Sequence, residues 1–166
     1  MFTSLVHFKK SWAIESESTL RMLRALTDAS LGQSVGPDDR TLGRIAWHLT
    51  TTVREMMERT GLKLAGPGPE APVPASAQAI VDAYEEAAGS LPEALGAWTD
   101  ASLQIKDDMY GDQWKRGITL FALIAHQAHH RGQMTVLMRQ AGLRVPAVYG
   151  PAREDWPSMG MAAPEI

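Results

Sequence analysis

The sequence predicts an all-α fold: a four-helix bundle with long connections and an extended C-terminal tail. Three observations predict it. Apolar residues recur at helical spacing in four segments, no convincing run of strands interrupts them, and glycine and proline punctuate the gaps. A chain of 166 residues with 45% hydrophobic composition suits a single domain over residues 1–166 with a sizeable core.

The first helix covers roughly residues 4–28, with Leu5, Phe8, Trp12, Thr19, Leu23 and Leu26 on one stripe. Residues 31–37 form a loop by composition. The second helix starts near Asp39 or Thr41 and stops before Gly61; its buried stripe is Leu42, Ile45, Leu49, Val53 and Met56. His48 sits at the edge of that stripe, in a column with Arg44, Thr52 and Glu55. Residues 61–75, rich in proline and glycine, read as a semi-rigid connection. Ser76 caps a third helix whose face is Ile80, Tyr84, Ala87, Leu91, Leu95 and Trp98, with a kink or restart expected at Gly89 and Pro92. Residues 100–116 are irregular, with turn chemistry at 107–112. The fourth helix runs roughly 117–141 and stops at Gly142, and the tail from Leu143 on is an extended arm.

Helix four is apolar almost all round. One face carries Ala122, Leu123, His126, His130, Gln133 and Leu137, the other Leu120, Phe121, Ile124 and Ala128. A helix apolar on both sides is normally buried on both sides, so the tail or a second subunit must cover it. A homodimer is the simpler arrangement.

A net charge of -3 and a pI near 5.9 argue against nucleic acid or an anionic membrane as partner. The absence of cysteine removes disulfides, thiol nucleophiles and thiolate ligands, and fits a cytoplasmic protein. The N-terminus has no basic region followed by an apolar one, and no apolar run approaches the length of a membrane span.

Chemistry concentrates in His126-Gln127-Ala128-His129-His130-Arg131-Gly132-Gln133. Residues four apart on a helix lie about 6 Å apart on one face, so His126 and His130 can share one metal ion. Catalytic zinc sites typically use three protein ligands and keep one position open, and His48 offers the third. The spacing suits packed core histidines as well. His129, three residues from His126, competes with His130 on geometry, and His7 reads as surface. No Gly-x-Ser-x-Gly elbow, phosphate loop or His-Glu-x-x-His motif occurs. Without a built-in base, Glu55 and His129 are the candidates for that role; Glu55 also suits a solvated position paired with Arg59.

Residues 40–49 (Arg-Thr-Leu-Gly-Arg-Ile-Ala-Trp-His-Leu) and 125–133 (Ala-His-Gln-Ala-His-His-Arg-Gly-Gln) resemble two segments of the DinB/YfiT-like family of bacterial four-helix-bundle proteins, and residues 143–150 resemble its tail. The resemblance implies that His48, His126 and His130 are metal ligands, His130 being the histidine directly before Arg-Gly-Gln. It implies nickel or zinc as the ion. Gln133 and Arg131 are candidates to help by hydrogen bonding or by helix packing, and His129 and Glu55 are further candidates for support around the ligands. Ala125 stands where the family commonly has asparagine. Some relatives are metal-dependent thiol-S-transferases, which implies a small-molecule substrate, with a low-molecular-weight thiol as the candidate, and a transferase- or hydrolase-like reaction. The rival expectations are a non-catalytic metal-binding protein of the stress-response kind and an interaction module with packed histidines. Tyr149 and Trp156 suggest a tail that closes over the pocket.

Overall fold

Local capping sets where each helix begins. In the computed structural model, which describes residues 1–165, α1 spans Leu5–Arg24. It ends earlier than its apolar pattern because Thr27 and Ser30 cap a separate short turn, Asp28–Ser30, through reciprocal hydrogen bonds. Helix α2 spans Leu42–Glu58, and the Thr41 hydroxyl accepts the Arg44 N–H at 3.1 Å. Helix α3 spans Ala77–Ala94, capped by Ser76. Helix α4 spans Arg116–Gln140. It ends in a left-handed Gly142 (φ 73°), with Leu143 N–H reaching back to the Met138 carbonyl at 2.9 Å.

The principal contacts join α1 and α2 each to α3 and α4. Helices α1 and α2 therefore face each other diagonally, and the connections 25–41 and 95–115 cross the ends of the bundle. Phe8, Met22, Leu49, Val53, Met57, Ile80, Leu91, Leu120, Leu123 and Met138 fill the interior without exposure. Each such side chain contributes about 1.5–3 kcal/mol by burial.

Four expectations need correction. The irregular segment holds a β-hairpin: β1 (Lys106–Met109) pairs antiparallel with β2 (Asp112–Lys115). Its two-residue loop has Tyr110 at φ 61° and Gly111 at φ 89°, the left-handed pair that a type I′ turn requires. Buried Met109 pins the hairpin, and Arg116 grips Asp107 with two bonds of 2.9 and 3.1 Å.

Second, α3 runs through Pro92 without a restart. Pro92 cannot donate to the Ala88 carbonyl one turn back; the buried Trp12 indole N–H donates to it instead, at 3.0 Å. Third, within the single chain α4 is covered on one side only. Ile118, Phe121 and Val136 lie on one exposed stripe, 38%, 50% and 53% accessible, while Gln127 and Arg131 are buried. Fourth, the tail anchors through Val145 and packs with Leu143 and Val148 against the core, leaving that stripe uncovered. No helix among the described residues is long and apolar enough to cross a membrane.

Candidate metal centre

His48 lies at the edge of the buried stripe of α2, beside Leu49, and faces α4, where His126 and His130 stand one turn apart. The three Nε2 atoms converge. His126 Nε2 lies 3.1 Å from His48 Nε2 and 3.1 Å from His130 Nε2. The rings meet edge to face, with centroids 4.4 to 4.9 Å apart. His130 is buried and the other two are half-buried.

Gln133 decides the protonation of His130. Its Oε1 accepts from Nδ1 at 2.7 Å while its Nε2 lies 3.2 Å from His129 Nε2. An amide oxygen can only accept, so His130 carries its proton on Nδ1 and directs the Nε2 lone pair inward. The contact also holds the exposed His129 outside the triad, as a neighbour of Gln133.

Burial, followed by the mutual repulsion of the histidines, holds His48 and His126 down to about 4; burial lowers His130 too. The rings are therefore neutral at ordinary pH, the form that binds metal. With the His130 lone pair turned inward, a single proton on His126 Nε2 can serve only one of its two close nitrogens. A cation serves all three. Nitrogens at about 2.0–2.1 Å from a tetrahedral zinc lie about 3.3 Å apart, close to the spacing seen. The three histidines form a group that could hold a metal ion, with no fourth donor joining them among the described residues. His126 Nδ1 is buried without a hydrogen-bond partner, and Ala125 offers it none.

Two cavities flank the triad. A charged one of about 730 Å³ opens on His48 and His126 between Arg40, Arg44, Glu55, Glu70 and Tyr110. A second one of about 400 Å³ meets His130 and Gln133, with Val35, Ile45, Val136 and Leu137 on its walls beside the acid Asp39. Arg40 borders both. Glu55 accepts from Arg59 at 2.6 Å and from the Tyr110 hydroxyl at 2.6 Å, and Arg59 lies 4.2 Å over the Tyr110 ring. The pairing with Arg59 is as expected; the hairpin's Tyr110 is not. Burial and the Glu55 bond raise Tyr110, which stays a proton donor. No tail residue lines either cavity, so the expected closure by Tyr149 and Trp156 is not observed.

Tyr149 belongs to a polar chain that the sequence did not disclose. Arg131, 2% exposed, pairs with the Glu15 carboxylate and donates to Thr19 at 2.8 Å and to the Glu15 carbonyl at 3.0 Å. It also donates to Tyr149, whose hydroxyl donates in turn to Glu15 at 2.6 Å. Buried Gln127 continues the chain: its Oε1 accepts from Thr19 and Tyr84, both at 3.1 Å, and its Nε2 donates to the Leu49 carbonyl at 3.0 Å. Arg131 is thus a core residue facing α1. The available signal was its place one residue past His130, which rotates it away from the triad by about 100°.

The DinB family model matches residues 1–163. A Bacillus subtilis (strain 168) protein, "Uncharacterized protein YrdA", is 47% identical over the whole of both chains. The crystal structure of a DinB-like protein from Bacillus cereus ATCC 10987 is 48% identical, with a TM-score of 0.86 over 90% of this chain and 100% of that one. A second DinB-like protein, YjoA of Bacillus subtilis, is 12% identical with a TM-score of 0.67 over 86% and 97% of the two chains, and shares the fold. On the matched family model and this identity, the chain belongs to the DinB family.

Proposed function

We propose that the chain is a metal-dependent enzyme acting on small molecules, of the thiol-S-transferase or hydrolase type, in which His48, His126 and His130 hold one nickel or zinc ion. One observation carries the reading: three neutral imidazole nitrogens converge without a fourth protein donor, and cavities open on both sides of them. A structural site is closed by a fourth ligand, whereas a catalytic one keeps a place for substrate. When bound, a divalent ion there supplies a Lewis acid that lowers the pKa of a thiol or water beside it. With no cysteine in the chain, the thiol comes from the substrate.

The protein's own residues supply the setting. Gln133 holds the His130 tautomer that presents Nε2. Tyr110 and Arg59, fastened to Glu55, build the wall of the charged cavity. Both Glu55 oxygens already accept hydrogen bonds, which favours Glu55 as a positioning group over a proton acceptor.

The test is metal content by mass spectrometry on tag-free protein beside His48→Ala and His130→Ala, followed by conjugation assays with small thiols and electrophiles. About one ion per chain, lost in both variants, with metal-dependent thiol consumption, is the expected result. An ion that binds without turnover of any thiol or ester would move the reading to the non-catalytic metal-binding alternative.

A further inference from the structure

We propose that Arg40 and Arg44 form an anion-recognition subsite that takes the carboxylate end of a small molecule whose other end reaches the three histidines. The inference rests on the metal-dependent reading above and names the chemistry of its substrate.

The first observation concerns what these arginines lack. Every other arginine of the chain has a side-chain partner. Arg21 bonds Ser18, Arg131 is buried on Glu15, and the remainder pair with carboxylates. Among the arginines of the described residues, only Arg40 and Arg44 have side chains with neither a hydrogen bond nor an ion pair. Both are exposed.

The second observation is their place. Arg44 stands one turn before His48 on α2, and Arg40 lies just ahead of the Thr41 cap, outside the helix. Both border the charged cavity that reaches His48 and His126, and Arg40 also borders the second cavity at His130. A ligand held by Arg40 therefore lies next to the triad whichever side it enters from.

The third observation is the charge balance of that wall. Glu55 is spent on Arg59 and Tyr110. Glu70 on this lining and Asp39 on that of the second cavity are the remaining acids, and neither forms an ion pair with Arg40 or Arg44. Two guanidinium groups that no carboxylate contacts stand beside a trio of nitrogens, and each repels a further positive ion there. A divalent metal and this arginine pair coexist best when an anion joins them. A guanidinium fork matches a carboxylate in shape and in donor number, and the second cavity leaves room for an uncharged co-substrate. The subsite thus selects an acidic thiol over a neutral one.

The experiment uses the full-length protein loaded with cobalt(II), whose absorption reports a thiolate on the metal. It is titrated with 3-mercaptopropionate and with 2-mercaptoethanol, in wild type and in the Arg40→Gln/Arg44→Gln double variant. Expected is binding of the acidic thiol about tenfold or more tighter in wild type, the worth of one charge-assisted bond. In the double variant the preference falls to about twofold or less, with cobalt stoichiometry unchanged. Equal affinity in wild type, or a preference that survives the double substitution, overturns the subsite. Should cobalt fail to bind, or bind without any thiol band, the proposed function fails separately. The subsite is then decided by the guanidinium NMR signals of Arg40 and Arg44 on adding propionate: saturable shifts uphold it, and unmoved signals sink it.

Discussion

Two pairs of residues on α4 share the same four-residue spacing and differ by one position, yet they do opposite things. His126 and His130 turn toward α2; Gln127 and Arg131 turn toward α1 and α3. The second pair is close to saturated: of its side-chain nitrogen and oxygen atoms only the buried Arg131 Nε lacks a partner. Glu15, Thr19, Tyr84, Tyr149 and the Leu49 carbonyl answer nearly every donor and acceptor it has. The first pair meets only other lone pairs at its inner nitrogens. A buried polar group whose partners are all inside the protein stabilises the fold. One whose partners are missing marks where something else binds.

The largest effect comes from the saturated pair. Arg131→Met leaves the Glu15 carboxylate without its guanidinium in a side chain only 12% exposed. Breaking a buried ion pair from one side costs about 3–5 kcal/mol, so denaturant melts of the metal-free variant should fall by that order. Metal bound per folded molecule should stay near one. A variant that folds normally yet binds no metal would break the comparison, because the two faces would then act as one unit.

The open pair should behave in reverse. His126→Ala removes a ligand without removing an internal partner, and it relieves the crowding at three close nitrogens. The metal-free variant should be at least as stable as metal-free wild type. What it loses is the gain on adding metal, about 2.7 kcal/mol when the free ion is a hundredfold above its Kd. Thermal melts with and without a chelator read this directly. A chelator-sensitive melt in His126→Ala would show that the ion sits elsewhere.

The same contrast explains which features were legible in the sequence. The triad was, because HxxxH spacing is local and His48 falls on an amphipathic helix; the family resemblance then separated His130 from His129. The physical reason for that choice is Gln133, one turn on, which holds His130 by Nδ1. The partners of Arg131 and Gln127 went unseen because they come from α1, α2 and α3, and hydropathy along α4 cannot register them. Pro92 was read as a break for the same reason: the Trp12 indole that answers the Ala88 carbonyl lies 76 residues away. The hairpin was missed because Lys106-Asp107-Asp108-Met109 carries no β-branched residue; Tyr110-Gly111 and the Arg116 clamp hold it together.

Gln133 sharpens the comparison, since it is a saturated contact serving the open pair. Gln133→Ala frees the His130 ring to rotate and to exchange tautomers. Outer partners of metal-bound histidines are worth about 10–100-fold in affinity, so the Kd for zinc should rise by that factor with little change in metal-free stability. Gln133→Glu, which keeps an acceptor, should recover most of the loss. Equal Kd values across all three proteins would show that the tautomer needs no help.

The smallest effect is a slope against pH, and it separates the two pairs most cleanly. His48 and His126 are held from 6.5 down to about 4 by burial and then by their histidine neighbours. In the unfolded chain these rings take up protons near 6.5, while the folded metal-free protein resists until near 4. Stability is therefore at its full value above 6.5, declines as the pH falls from 6.5 toward 4, and levels off below that point, where both states are protonated. The half-exposed rings are partly screened by water, so the decline is gentle. A His48→Ala/His126→Ala double variant should flatten it, whereas Arg131→Met should shift the whole curve downward and keep its slope. Metal affinity depends only on the folded rings, so it should hold to about pH 5 before protons compete for the nitrogens. Melts between pH 8 and 4, paired with zinc titrations at the same values, distinguish the two curves. If the slope persisted without the two histidines, the proton uptake would belong to other groups of the chain.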